Sequence, residues 1–200
     1  MGCLRNIIRS IILTLAVTGF IAIGGKDWVM PIISGFFNPS QEKMMENAKK
    51  VGDFSKESEE FELEKAAGIM GYNAVVAQHK ASGQKFFVVD SGKKEILTQQ
   101  DLQSPDIENK LKDSVKKIKY QSISAEKLTV TKKGTMSSYG QNNVPYVKFD
   151  AKVSKLPIGD VTGIIAVVND KNGKPRTLLS VNEKQKFSQL VAEEFFKNIK

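Results

Sequence analysis

The chain has 200 residues, is 40% hydrophobic, and sets 30 Lys+Arg against 22 Asp+Glu for a formal net charge of +8. That apolar share is too high for a wholly disordered chain, and the length allows one ordinary domain with a short appendage. A single Cys excludes an intrachain disulfide framework and a multi-cysteine zinc site, and a single His excludes a metal site made of two or three imidazoles. All but three of the basic residues are lysine (the arginines are Arg5, Arg9 and Arg176), so the guanidinium fork that grips base edges and phosphates is scarce. No specific nucleic-acid partner is expected.

The first element is an apolar run. From Ile7 to Gly25 there are 19 residues, ten of them Leu, Ile, Val or Phe, with Arg5 and Arg9 at the front and Lys26 and Asp27 closing the run. As a helix this spans about 28 Å, close to the ~30 Å hydrocarbon core of a bilayer. Its apolar side chains supply roughly −3 to −6 kcal/mol toward insertion. The reading favoured is an uncleaved signal anchor in the lipid bilayer, with Arg5 and Arg9 on the cytoplasmic side and the rest of the chain outside the cytoplasm. Trp28 directly after the charged stop suits the interfacial belt, and residues 1–37 together form the anchor and interfacial segment. The alternative is a signal peptide cleaved near Gly24, since Ala22 and Gly24 are small, giving a secreted or periplasmic protein. Cys3 precedes the apolar run instead of following it, and Asn6 stands where a myristoylation pattern wants Ser or Thr.

Asn38, Pro39 and Gln41 make a helix start, and the helix they begin ends at Gly52. Residues 38–52 are read as a helical stalk, and 53–200 as one globular domain. Asn73–Lys80 and Lys85–Asp90 flank a turn containing Gly83, which predicts a β-hairpin. Phe61 and Leu63 alternate like a strand, while Ala66, Ala67 and Met70 suit a helix, so Glu60–Gly71 is ambiguous. Ser104 and Pro105 open a predicted helix with Ile107, Leu111, Val115 and Ile118 as its buried stripe. Four strand-like runs follow: Lys127–Ser138, Val144–Ser154, Val161–Asn169 and Arg176–Val181. Short turns between them predict an antiparallel meander. A last helix, capped by Asn182 and Gln185, is expected to face inward with Phe187, Leu190, Val191, Phe195 and Ile199. Strands grouped between helices, without βαβ alternation, predict an α+β domain on one twisted antiparallel sheet of five to seven strands.

Catalytic constellations are scarce. His79 stands beside the hairpin turn with no second histidine. Ser91-Gly92-Lys93-Lys94 and Ser114-Val115-Lys116-Lys117 match Ser-x-x-Lys, and Ser180-Val181-Asn182 matches Ser-x-Asn, but the Lys-Thr-Gly element that completes the set is missing. There is no P-loop or dinucleotide fingerprint. Asp170-Lys171-Asn172-Gly173 begins like a calcium loop but lacks the terminal bidentate Glu, so a hairpin turn is expected. No catalytic, cofactor or metal residue is assigned. The one surface feature is Lys112, Lys116 and Lys119, spaced four and three apart, a candidate strip facing an anionic polymer or envelope partner. The expected function is a membrane-anchored, extracytoplasmic, non-enzymatic module that binds or scaffolds a protein or envelope partner. The alternatives are a secreted binding domain and a small hydrolase with an unfamiliar site.

Overall fold

The computed structural model describes residues 41–69, 72–90, 97–116, 125–153 and 160–200. Its strands are β1 (Phe61–Ile69), β2 (Tyr72–His79), β3 (Lys85–Asp90), β4 (Ala125–Ser138), β5 (Gln141–Val153), β6 (Asp160–Asn169) and β7 (Pro175–Glu183). Its helices are α1 (Gln41–Val51), α2 (Gln99–Gln103), α3 (Ile107–Lys116) and α4 (Gln189–Asn198). Among the described residues the strands form one seven-stranded sheet in the order β1-β2-β3-β7-β6-β5-β4, every neighbouring pair antiparallel. The class is α+β, as the grouping of strands predicted.

Two meanders, β1–β3 and β4–β7, are joined edge to edge by β3 and β7. Alternation along the strands sends Phe87, Val147, Phe149, Ile165 and Leu179 to one face, where Leu102 of α2 and Ile107 and Leu111 of α3 cover them. Phe86, Val88, Tyr146, Ile164 and Leu178 go to the other face, under Ala48 and Val51 of α1 and Ala192, Phe195 and Phe196 of α4. With helices on both faces, the central strands β6 and β7 are buried along nearly their whole length, so neither shows a polar side. Phe195 is the hub of the second layer: its ring lies 4.3 Å from Phe86, 5.2 Å from Phe61 and 6.2 Å from Phe54, centroid to centroid.

Several expectations change. Of the ambiguous segment, Phe61–Ile69 is a strand, β1, whose residues pair along β2, and Met70 and Gly71 lie outside the described residues. Within the segment 38–52 the described helix is α1 (Gln41–Val51), which is seated on the sheet and does not stand free as a spacer. Ala48 and Val51 are 2% and 1% exposed, and the Asp53 N–H and C=O pair with Lys200. Ser104 ends the short helix α2, which the sequence reading missed; Thr98 caps α2 in a full capping box with Asp101. The last helix is capped by Ser188, not by Asn182 and Gln185. Its inner face is Ala192, Phe195, Phe196 and Ile199, whereas Leu190 is 78% exposed.

The turns obey backbone chemistry. Tyr139 (φ 51°) and Gly140 (φ 71°) are both left-handed, as a two-residue type I′ hairpin requires. At Asp170–Lys174 the Asp170 carboxylate accepts from the Asn172 and Lys174 amides, the expected hairpin turn. The outer strand β4 is a poor template for further pairing. Its register shifts three times, Lys127, Lys132 and Lys133 are exposed, and the Val130 N–H is already taken by Glu108 of α3 at 2.9 Å.

Candidate functional site

Of the polar groupings among the described residues, three on or beside the sheet bear on function. The first surrounds Arg176, which is 2% exposed on β7 and stands opposite Asp90 in the β3–β7 ladder. Its Nη2 donates to Asp170 Oδ2 at 2.7 Å, and its Nε to the Val51 carbonyl at 3.1 Å. Nη1 lies 2.6 Å from Asp90 Oδ1, an ion pair without the alignment of a directed hydrogen bond. The Tyr139 hydroxyl donates to the same Val51 carbonyl at 2.7 Å, and burial pushes its ionisation far above the usual phenol range. One cation between two carboxylates leaves little field for a ligand. What it does is close the C-terminal end of α1, whose last carbonyls would otherwise lack partners.

The second grouping locks the β2–β3 turn to the β7–α4 connection. Gln84, fully buried, donates from Nε2 to Ser180 Oγ and to the Ser188 carbonyl, each at 2.9 Å, and accepts from Ser188 N–H at 2.8 Å. Asn182 Nδ2 donates to the carbonyls of Ser82 and Lys186. His79 belongs here too. Its Nδ1 lies 2.8 Å from Ser82 Oγ and accepts from Ser82 N–H at 3.3 Å, while Nε2 faces Glu60 Oε2 at 3.7 Å. The accepting Nδ1 sets the proton on Nε2 when the ring is neutral. This is a serine beside a basic imidazole with a carboxylate behind it. The serine oxygen is already engaged, however, accepting from Gln84 N–H at 3.2 Å.

The third is Glu57, in the connection between α1 and β1. Both of its carboxylate oxygens are shielded from solvent without a hydrogen-bond partner, as is Ser58 Oγ. Burial, reinforced by the charge of Glu194 on α4, pushes its pKa up to about 8. Nothing in the sequence marked it: it is one of five glutamates between residues 57 and 64, a stretch that reads as solvated.

The candidate basic strip is seen only at its start. Lys112 pairs with Glu108 on its own helix at 2.5 Å, so its charge is partly neutralised. Lys116 falls in α3 with its side chain outside the described residues, and Lys119 lies outside them altogether. So do Arg5, Arg9, Trp28, the apolar run 7–25 and Ser91–Lys94. Of the Ser-x-Asn match, Ser180 and Asn182 are spent inside the second grouping. Among the described residues, no three His, Cys, Asp or Glu side chains gather as a metal set, and no helix is long and apolar enough to cross a membrane. The chain matches no protein-family model, and no curated protein matches it.

Proposed function

We propose that the protein is a membrane-tethered, non-enzymatic α+β module whose body faces away from the cytoplasm and binds a protein or envelope partner. The observation that carries this reading is the run Ile7–Gly25, free of charges except Arg9 near its front and closed by Lys26 and Asp27. The body favours binding over chemistry, because the Arg176 and Gln84 groupings spend their polar atoms on one another and on the backbone. An anionic partner is supported by α3 resting along β4, whose Lys127, Lys132 and Lys133 are exposed. The Lys112, Lys116 and Lys119 strip would extend that surface.

Carbonate extraction combined with protease treatment of intact spheroplasts tests the reading. Retention in the carbonate pellet, with the body digested from outside, is expected. Release into the supernatant as a species beginning near Gly25 supports the secreted alternative, and protection of the body by the intact membrane overturns both.

A hydrolase has one observation in its favour, the contact of Ser82 with His79 backed by Glu60. A fluorophosphonate probe decides it: labelling that Ser82→Ala abolishes would establish the nucleophile, and no labelling excludes it.

A further inference from the structure

A carboxylate shielded from water and left without donors is an expensive arrangement, and native proteins rarely keep one without a reason. Glu57 is such a group, and its position is specific. Residues 53–60 are pinned at both ends. Asp53 exchanges backbone hydrogen bonds with Lys200, at 2.6 and 3.1 Å. At the other end Phe61 begins β1, with its ring against Phe86 and Phe195. The Glu60 carbonyl accepts from Lys80 N–H at 2.8 Å and so belongs to that second pin; between Asp53 and Glu60 the turn is held by Glu57 N–H to the Phe54 carbonyl at 3.2 Å, Phe61 N–H to the Ser58 carbonyl at 3.0 Å, and Phe54 against Phe195.

Among the described residues, the charged groups around the turn do not compensate Glu57. Within the connection, Asp53 accepts from Ser55 N–H, Lys56 lies against Lys200, and Glu60 faces His79. On α4, Glu193 accepts from Gln189 and Lys197 is exposed, while Glu194 is, among the described residues, the charged side chain that acts on Glu57, and it repels. On α1, Lys50 is engaged with Glu46 and Asn47. The seated turn therefore accommodates the neutral acid and rejects the anion.

We propose that the 53–60 connection is a proton-held latch: it sits on α4 while Glu57 carries a proton, and it lifts into water when that proton leaves. Lifting solvates the carboxylate, moves it away from Glu194 and uncovers Phe54 and the flank of Phe195. The pins at Asp53 and Phe61 confine the opening to the turn, so the sheet and α1 stay in place. The device converts mild alkalinity into exposed apolar surface beside α1, whatever partner the module takes.

Hydrogen–deuterium exchange on the full chain in detergent micelles, from pH 6 to 9, tests this. The readout is the protection factor of peptides covering 54–61, corrected for intrinsic exchange. Opening releases one proton, so wild-type protection should fall by up to about tenfold per pH unit toward pH 8 and level off above it. Glu57→Gln should give pH-independent protection, and Glu194→Gln should move the levelling point to lower pH. Protection in the wild type that does not change with pH, or a slope that survives in Glu57→Gln, overturns the proposal. A peptide from β6 reports global unfolding in the same samples, and equal changes there would overturn it as well.

Discussion

Arg176 and Asp90 face each other across the β3–β7 ladder, Nη1 to Oδ1 at 2.6 Å, at the one seam that joins the two meanders. Arg176 also holds Asp170 and the last carbonyls of α1, so the same side chain ties together a hairpin turn, two strands and a helix end. Replacing it with Met removes the cation that faces both the Asp90 and the Asp170 carboxylates, which costs about 3–5 kcal/mol. Arg176→Lys should recover only part of this, because a single ammonium cannot satisfy both carboxylates and the Val51 carbonyl together. Urea denaturation of the three proteins measures both effects.

Gln84 is engaged at both ends of its amide. Gln84→Ala leaves Ser188 N–H and Ser180 Oγ without partners, at about 1–3 kcal/mol for each group that stays dry, and leaves the Ser188 carbonyl with Ala192 N–H alone. A loss of about 3 kcal/mol or more is expected in equilibrium unfolding. A loss below about 1 kcal/mol would mean that water enters and replaces the amide.

Helix α4 allows a paired test. Leu190 is 78% exposed and Phe195 is fully buried. Leu190→Ala should change stability by no more than about 0.5 kcal/mol, whereas Phe195→Ala should cost about 3–5 kcal/mol. Thermal melts of the two variants side by side decide it.

Gly163 in β6 is a packing site. A Cβ there would lie 2.6 Å from Phe149 Cζ, 2.7 Å from Val181 Cγ1 and 2.9 Å from the Ser180 carbonyl oxygen. Because one of these is backbone in a central strand, the strain cannot be relieved by a rotamer change alone. Gly163→Ala should lower stability by about 1–3 kcal/mol, readable as a lower melting temperature.

The pH dependence has two limbs. Glu57 ionises only at about 8 in the fold, against an ordinary 4.5, so its contribution is complete below pH 4.5 and is lost as pH rises through about 8. Asp101 and Asp150 behave oppositely. The hydrogen bond from Lys110, joined by the Thr98 N–H, holds Asp101 below 3.8. Burial alone would raise Asp150, but the hydrogen bonds from Lys184 and Thr162 outweigh it. Their contributions are present above 3.8 and lost as pH falls through the lowered values. A melting-temperature maximum near pH ~5 is therefore expected, and Glu57→Gln should flatten its alkaline side while leaving the acid side unchanged.

Much of the sheet was legible because hairpin chemistry is local. Gly83, Tyr139-Gly140 and Asp170–Gly173 mark their turns, and β-branched and aromatic runs mark the strands between them. The β3–β7 seam was not legible, since nothing near Phe86 names Leu178–Ser180 as its neighbours. The Thr98–Asp101 capping box is written in the sequence, but the five-residue helix it opens, Gln99–Gln103, is too short to show a periodic stripe. A helical stripe alone does not show where the sheet lies, so the periodic pattern of α4 runs through Leu190, whereas Ser188 and the adjacent Phe195 and Phe196 set the helix's rotation. Met44, Ala48 and Val51 formed a readable stripe on α1, but its covering surface lies on β1, β2 and β3. The Arg176 grouping draws on residues up to 126 positions away in the chain, so no motif announces it.

The strand order has a kinetic consequence. Within each meander the pairings are between strands adjacent along the chain, and such hairpins close in about 1–10 μs. Zipping β3 to β7 instead brings together residues 90 or so positions apart, at a loop-closure cost that no local contact offsets beforehand. Two preformed leaflets that must find each other late make folding slow, on the order of milliseconds to seconds, and until they meet each exposes one unpaired border to neighbouring chains.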